Sequence, residues 1–378
     1  MKLFKCQKCE QVLYFENFRC ERCGLAVGYL PHLDTLSAVT PDGPEWIAMA
    51  DPDKRYRFCA NWEHQACNWL VEIDGDPAAY CAACRHNRTV PEVSDPAQRA
   101  LWVKLEDAKR RLFYSLLKLG LPTPAPGSSD PEPLVFDFLA EMPDRKVVTG
   151  HDDGVITIGL EEADDAARES MRTRMHEPYR TLVGHFRHEV GHYYWDKLVR
   201  DLGKLDSFRA IFGDERQDYQ QSMDKYYASG PPPNWQDSHV SAYATMHPWE
   251  DFAETWAHYL HIVDTLEMAY TFGVSVAPRV GQEMKLAAKT AQDPYSISKM
   301  DDLIAQWLPI VFAVNSINRT MGQPDLYPFV LSPSVLGKMD YVRQVITRDP
   351  RTGIEPGALP DQSKSARRRG WSLFGARR

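Results

Sequence analysis

Residues 184–199, GHFRHEVGHYYWDKLV, contain the pattern HExxH, which on a helix can build a metal centre. His188 and His192 are one helical turn apart and project from the same face, so both imidazoles can reach one metal ion. Glu189 is rotated by about 100° from His188 and stands beside the open position of the metal, where it can act as a general base toward water. A chance HExxH is expected in roughly one or two of a hundred chains this long, so the prediction needs a third ligand and a group that stabilises the transition state.

The third ligand is expected from the segment 241–261, SAYATMHPWEDFAETWAHYLH. The residues after the HExxH motif, YYWDKLVR, lack the Gly and His of the pattern HExxHxxGxxH, which excludes the metzincin arrangement. Pro248 fits the first turn of a helix on which Glu250 and Glu254 are four residues apart and share a face. Glu250 can ligate zinc, while Glu254 can accept the free ring N–H of a ligand histidine and fix its orientation.

All eight cysteines lie within the first 84 residues, which is typical of metal binding in a chain without an export signal. Two CxxC pairs, separated by ten residues, can each bend into a knuckle and together supply the four thiolates of a closed, tetrahedral zinc site. Gly24 fits the tight turn after the second pair. The first predicted structural zinc ion is therefore bound by Cys6, Cys9, Cys20 and Cys23.

The other four cysteines predict a second structural zinc site with less regular spacing. Only CAAC is a regular knuckle, because the first two cysteines of this set, in CANWEHQAC, are separated by seven residues. A site in which His64 or His86 replaces one thiolate, and cysteines that are merely buried, are the alternatives. The predicted ligands are Cys59, Cys67, Cys81 and Cys84, which gives one catalytic and two structural Zn2+ ions in total.

The composition is that of a globular protein, with 43% hydrophobic and 25% charged residues. A net charge of −8 argues against a protein that coats nucleic acid. The N-terminal MKLFKCQKCE has no apolar stretch typical of a signal peptide. The apolar run 304–317 is short and interrupted, so we expect a buried helix there and no membrane span. These features predict a cytoplasmic protein.

Turn signals, linkers and periodic segments divide the chain into four regions, 1–93, 94–133, 134–350 and 351–378. The first holds both cysteine sets, with Trp- and Asp-rich loops around the second set. The next holds a helix that starts at Asp95 and Pro96, followed by a Pro-rich linker. Strand-like runs at 134–139 and 154–160 precede mostly helical sequence, and the basic tail has the composition of a disordered segment. The predicted fold class is α+β, a zinc-ribbon region followed by a mostly helical domain with a small β-sheet.

The pairing of HEVGH with the later EDFAE resembles the glutamate zincins, the thermolysin-like clan of peptidases whose zinc ligands are two His and one Glu. The resemblance implies that Glu250 is the third ligand and that Glu254 orients His188. Tyr243, seven residues before Glu250, matches a tyrosine that some members use to stabilise the oxyanion. More closely, the chain resembles a bacterial family of zinc-binding metallopeptidases with an N-terminal zinc ribbon, through CNWL, TGHDDGVITIGLEEADD, EPYRTLVGHFRHEVGHYYWD and HPWEDFAETWAHYLH. These passages span most of residues 1–330 and imply a zincin-like domain that acts on a peptide or protein substrate.

Further polar residues near these motifs have both functional and structural interpretations. Asp196, one turn after the second ligand histidine, can orient that histidine, but an exposed helix carboxylate is the simpler interpretation. The strand GVITIGL can offer its edge to an extended peptide by strand addition. His258 and His261 are interpreted as packing or surface residues. His239 and His247 are interpreted as residues that can line a substrate cleft.

Together the motifs predict a zinc-dependent peptidase in which Glu189 is the general base and Tyr243 stabilises the oxyanion. The alternatives are a catalytically silent, zinc-stabilised adaptor and a nucleic-acid-binding zinc-ribbon regulator. The presence of Glu189 argues against the adaptor, and the acidic net charge argues against the regulator. The ribbons can also provide a contact surface for a protein partner.

Overall fold

The computed structural model describes residues 1–73, 79–141, 147–175, 177–279 and 286–347, and the tail 351–378 lies outside them. Its helices are α1 (Pro96–Lys118), α2 (Asp165–Arg174), α3 (Leu182–Trp195), α4 (Leu205–Phe212), α5 (Tyr219–Ser229), α6 (Pro248–Thr271), α7 (Met300–Thr320) and α8 (Pro333–Thr347). Its strands are β1 (Phe4–Lys5), β2 (Val12–Leu13), β3 (Val27–Leu30), β4 (Thr35–Asp42), β5 (Glu45–Ala48), β6 (Asp51–Phe58), β7 (Leu70–Glu72), β8 (Asn87–Thr89), β9 (Val135–Leu139), β10 (Gly150–Asp152), β11 (Val155–Gly159), β12 (Ser275–Val276) and β13 (Ala288–Lys289). The predicted α+β class is confirmed. No helix in this part of the chain is both long and apolar enough to cross a membrane.

The N-terminal region contains more sheet than the sequence analysis expected. A short β1–β2 hairpin is followed by a five-stranded antiparallel sheet in the order β3-β4-β5-β6-β7. A bridge between Tyr29 and Trp69 brings the last strand back toward the first. Where these two strands approach each other, a Cβ on Gly28 would lie 2.5 Å from the side chain of Leu70. A larger residue at position 28 would therefore push the strands apart. Much of the sequence before the second cysteine set, which was expected to form loops, therefore forms strands.

Helix α1 joins the N-terminal region to the rest of the molecule. It begins as predicted, because the Asp95 side chain accepts a hydrogen bond from the backbone N–H of Ala97 and Pro96 lies in the first turn. On one side the ring of Tyr114 lies 5.4 Å from that of Phe15. The helix also packs against α3, and a single hydrophobic cluster extends through all of these elements.

A second sheet supports the HExxH helix. Its strand order is β10-β11-β9-β8, with β9 parallel to both of its neighbours and β10 antiparallel at one edge. The strand GVITIGL, β11, is paired on both sides, so the interpretation that it offers a free edge is wrong. The free edge beside α3 belongs to β10.

Most of the chain after residue 181 is helical, as predicted. Helices α3 and α6 form the most extensive helix pair of the described residues, and α8 packs against α6. The apolar run 304–317 lies within α7, but the helix is buried on one side only. Trp307 and Ile310 face the core, whereas Phe312 and Ile317 are exposed.

Candidate metal centre and active site

The close packing of α3 on α6 determines where the candidate ligands lie. The Thr181 side chain accepts a hydrogen bond from the backbone N–H of Gly184 and so caps the start of α3. In the middle of the helix, a Cβ on Gly191 would lie 3.0 Å from the Cα of Ala253 on α6. Glycine at this position therefore allows the two backbones to approach closely and brings the two histidines of α3 beside the first turn of α6.

Three side chains from these helices converge on one point. The Nε2 atoms of His188 and His192 are 3.2 Å apart, and they lie 3.0 and 3.4 Å from the Oε2 and Oε1 atoms of Glu250 respectively. A tetrahedral zinc ion with bonds of about 2.0–2.1 Å separates its ligand atoms by about 3.3–3.4 Å, which is close to these distances. Oε2 of Glu250 is buried without a hydrogen-bond donor among the described residues. The donor set therefore fits zinc and leaves a fourth position open.

Glu254, one turn after Glu250, orients the first histidine. His188 Nδ1 donates a hydrogen bond to Glu254 Oε1 over 2.7 Å, and Ser241 Oγ donates to Oε2 over 2.5 Å. Burial alone would raise the pKa of Glu254, but the hydrogen bond and charge of His188, together with His258 and Ser241, outweigh it and the pKa falls to about 2. Glu254 is thus ionised and keeps the proton of His188 on Nδ1, which leaves the lone pair of Nε2 for a metal.

The surroundings of His192 differ from those of His188. Its ring lies 3.8 Å from that of Trp249, and its Nδ1 has no hydrogen-bond partner among the described residues. Asp196, which can in principle orient this histidine, is bonded to Arg200 over 2.8 Å. Only 7% of Asp196 is exposed, so its interpretation as an exposed carboxylate is wrong, and burial raises its pKa to about 6.

Two further predicted residues lie around the three ligands. Glu189 is 9% exposed and follows His188 on α3. The Tyr243 ring lies 6.0 Å from the His188 ring. Burial, and then the negative charge of Glu250, raise the pKa of Tyr243, so its hydroxyl keeps its proton and can donate a hydrogen bond.

Tyr219 is a site residue that the sequence analysis missed. Its hydroxyl donates a hydrogen bond to Glu250 Oε1 over 2.8 Å, and its ring lies 5.4 Å from that of His247 and 6.1 Å from that of Trp249. It is the first residue of α5, in the stretch DYQQSMDKYY, which has no spacing relation to either motif. Nothing in the sequence pattern indicates this contact.

The four remaining histidines of interest do not join the ligand group. His258 Nδ1 lies 2.6 Å from the hydroxyl of Tyr327, and His261 contacts Arg187. The other two lie near the start of α6: His247 caps the helix by accepting from the backbone N–H of Trp249, and His239 Nε2 lies 3.7 Å from an Asp251 oxygen.

The first cysteine set forms a compact cluster. The Sγ atoms of Cys6 and Cys23 are 3.7 Å apart, and those of Cys9 and Cys20 are 3.5 Å apart. Zinc–thiolate bonds of about 2.3 Å place sulfur atoms about 3.8 Å apart in a tetrahedron, so the cluster fits one zinc ion. Gly24 has a φ of 75°, the conformation expected for the turn after the second knuckle.

The second cysteine set also converges, and all four members are buried: Cys59, Cys67, Cys81 and Cys84. His86 instead donates from Nδ1 to the carbonyl of Leu134, and His64 packs against Trp102, so neither replaces a thiolate. Lys109 and Arg110 are fully buried on the adjacent α1. Four thiolates around Zn2+ would carry two excess negative charges, and these cations lie beside them, although each also pairs with an acidic residue of α1, Glu106 or Asp107.

Comparisons with known proteins agree with both parts of the structure. Residues 98–345 match the family described as "Putative zinc-binding metallo-peptidase", and residues 3–95 match a zinc-ribbon domain. Proteins of Mycobacterium tuberculosis and Mycobacterium bovis, each described as an uncharacterized protein, are 41% identical over 347 residues. The alignment covers 92% of this chain and 95% of each relative. No solved structure matches the chain.

Proposed function

We propose that this chain, which belongs to the zinc-binding metallo-peptidase family, hydrolyses peptide bonds at a zinc ion held by His188, His192 and Glu250. The observation that carries the proposal is the convergence of these three donors, with ionised Glu254 bonded to the back of His188. When bound there, zinc supplies a Lewis acid that polarises the scissile carbonyl and lowers the pKa of water. Two further zinc ions, in the two four-cysteine clusters, would stabilise the N-terminal region.

The side chains around the metal position have separate roles in the reaction. Glu189 takes a proton from the attacking water and later delivers it to the leaving amine. Tyr243, kept protonated by burial, donates a hydrogen bond to the oxyanion that forms on the scissile carbonyl. Glu254 holds His188 in one tautomer and orientation throughout. Under this proposal the protein is a glutamate zincin.

The edge strand β10 supports a substrate in the extended conformation. It packs beside α3, and the ring of its residue His151 lies 6.3 Å from that of His192. An open cavity of about 470 Å3 adjoins β10, and its lining also includes Val155 and Thr157 of β11 and Arg88 of β8. A peptide that pairs with β10 would extend the sheet and pass close to the ligands.

The test is peptide cleavage by the wild type and by Glu189→Gln. Both proteins are expected to bind the same amount of zinc, because the substitution removes a base and no ligand. Mass spectrometry of a peptide mixture should show products from the wild type that are absent with the variant. Glu169→Gln is the matched control, because Glu169 pairs with Arg172 on the exposed helix α2. Equal cleavage by wild type and Glu189→Gln, or no cleavage by the zinc-loaded wild type, would refute the proposal.

A further inference from the structure

Helix α5 covers the candidate active site although it contributes nothing to the core. None of its residues is buried. Its contacts with the site are made by tyrosines: Tyr219 donates to Glu250, and the ring of Tyr226 lies 5.9 Å from that of Tyr243. A helix without a buried face has little to hold it in place except such individual contacts.

Both ends of this segment carry glycines in conformations that other residues rarely adopt. Gly213, which ends α4, has a φ of 101°, and Gly230, which ends α5, has a φ of 70°. No atom within 4 Å crowds the Cβ position of Gly230, so its backbone conformation alone requires glycine. Three prolines, 231–233, follow directly and stiffen the chain beyond this point. Before α5 begins, the segment is still tied to its neighbours, because Arg209 pairs with Glu215 and His247 Nε2 lies 3.1 Å from the carbonyl oxygen of Gln217, so α5 is the part that can move.

We propose that α5 forms a lid over the metal centre and that the hydrogen bond from Tyr219 to Glu250 is the latch that holds it closed. With the lid in this position, Glu189 is 9%, His192 3% and Glu250 2% exposed. His188 is 13% exposed, so the metal centre opens only narrowly to solvent, and a peptide main chain needs the wider opening that a lifted α5 provides. The metal-access part of this proposal is independent of peptidase activity, whereas its effect on hydrolysis rests on the function proposed above.

The latch has a predictable strength. A hydrogen bond from a neutral hydroxyl to a carboxylate shifts an equilibrium by about 10- to 100-fold. Tyr219→Phe keeps the ring and removes this bond, so it should raise the open fraction of the lid by about that factor. Asp218→Ala loosens the lid in another way, because Asp218 caps α5 by accepting from the backbone N–H of Gln221 and makes no contact with Glu250 among the described residues. Loss of such a cap corresponds to about a 5-fold change in the equilibrium between the closed and the open lid.

The experiment measures the rate at which the full-length, zinc-loaded protein releases its most accessible zinc ion to a chromophoric chelator. We expect release about 10-fold faster or more for Tyr219→Phe, several-fold faster for Asp218→Ala, and within twofold of wild type for Tyr227→Phe. Tyr227 is the matched control because it lies on the same helix, is 60% exposed and has no hydrogen bond to a described residue. The catalytic efficiency toward peptides should rise in the same order.

Three results would overturn the lid. If neither Tyr219→Phe nor Asp218→Ala accelerates zinc release, α5 does not gate the site. If Tyr219→Phe alone accelerates release, the hydroxyl acts through Glu250 and not through the helix. If Tyr219→Phe lowers hydrolysis with unchanged zinc release, Tyr219 takes part in the chemistry. Faster release in both variants without hydrolysis by any protein supports the lid and refutes the peptidase.

Discussion

Replacing each of the two glutamates of α6 by alanine should separate the third ligand from the residue that orients His188. Glu250→Ala removes one of three donors and should leave the catalytic site empty, because two histidines alone hold zinc weakly. Glu254→Ala keeps all three donors but removes the acceptor that lies 2.7 Å from His188 Nδ1. A hydrogen bond to a charged group contributes about 1.5–3 kcal/mol, so zinc affinity should fall by about 10- to 100-fold.

Two related variants test how much each contact of Glu254 contributes to zinc affinity. Glu254→Gln keeps an acceptor oxygen for His188 and loses the charge, so its loss of affinity should be smaller than that of alanine. Ser241→Ala removes the donor to the other carboxylate oxygen, 2.5 Å away, together with the acceptor of the Ala244 backbone N–H, and should cost less zinc affinity again. The assay is competition with a chelator of known affinity, together with elemental analysis of zinc per chain. If Glu254→Ala empties the site and Glu250→Ala does not, the ligand is Glu254 and our assignment is wrong by one helical turn.

Three other predictions follow from the same structure. Elemental analysis should give three zinc ions per chain, of which mild chelation removes one, because closed four-thiolate sites exchange slowly; a single zinc ion would contradict both cysteine assignments. Gly191→Ala should lower the free energy of unfolding, measured in a thermal melt, by about 1–3 kcal/mol, because its Cβ would lie 3.0 Å from the Cα of Ala253. The control Gly337→Ala should be neutral or stabilising, because no atom lies within 4 Å of its Cβ position. Equal effects of the two substitutions would refute the packing argument. Burial lowers the pKa of His258 from 6.5 to about 4, so the unfolded chain takes up this proton at higher pH than the folded protein. The free energy of unfolding should therefore fall between about pH 6.5 and 4, by up to about 3 kcal/mol, and His258→Gln should reduce this fall; an unchanged pH profile would count against a neutral, buried His258.

Local periodicity predicts that His188 and His192, and likewise Glu250 and Glu254, share a helix face, whereas the family and the meeting of the two helices were expected from the resemblance. Residues four apart on a helix share a face whatever the tertiary structure, and caps such as Asp95 mark where a helix begins. Such short-range patterns can be recognised without knowledge of the fold.

The features that were missed depend on contacts between distant parts of the chain. Tyr219 reaches Glu250 only because the segment before α6 folds back over the site, and no spacing rule encodes that path. The burial of Asp196 is likewise a tertiary effect. The N-terminal sheet is different, since Gly43 and Pro44 connect β4 to β5, and a two-residue connection that begins with glycine between two strand-like runs is a recognised hairpin signal. The sequence therefore contains a local pattern for this part of the sheet.

The position of α1 between the two halves of the molecule links metal supply to the solubility of the protein. Trp102 and Tyr114 on this helix are almost completely buried, and their partners in the N-terminal region, among them His64 and Phe15, lie on segments that the cysteine clusters hold together. Segments of that size fold only with their metal, so a chain made under zinc starvation would leave these aromatic rings in contact with water. Such a chain would aggregate or be degraded before its empty catalytic site mattered. The amount of this protein in a cell should therefore follow the zinc available during its synthesis.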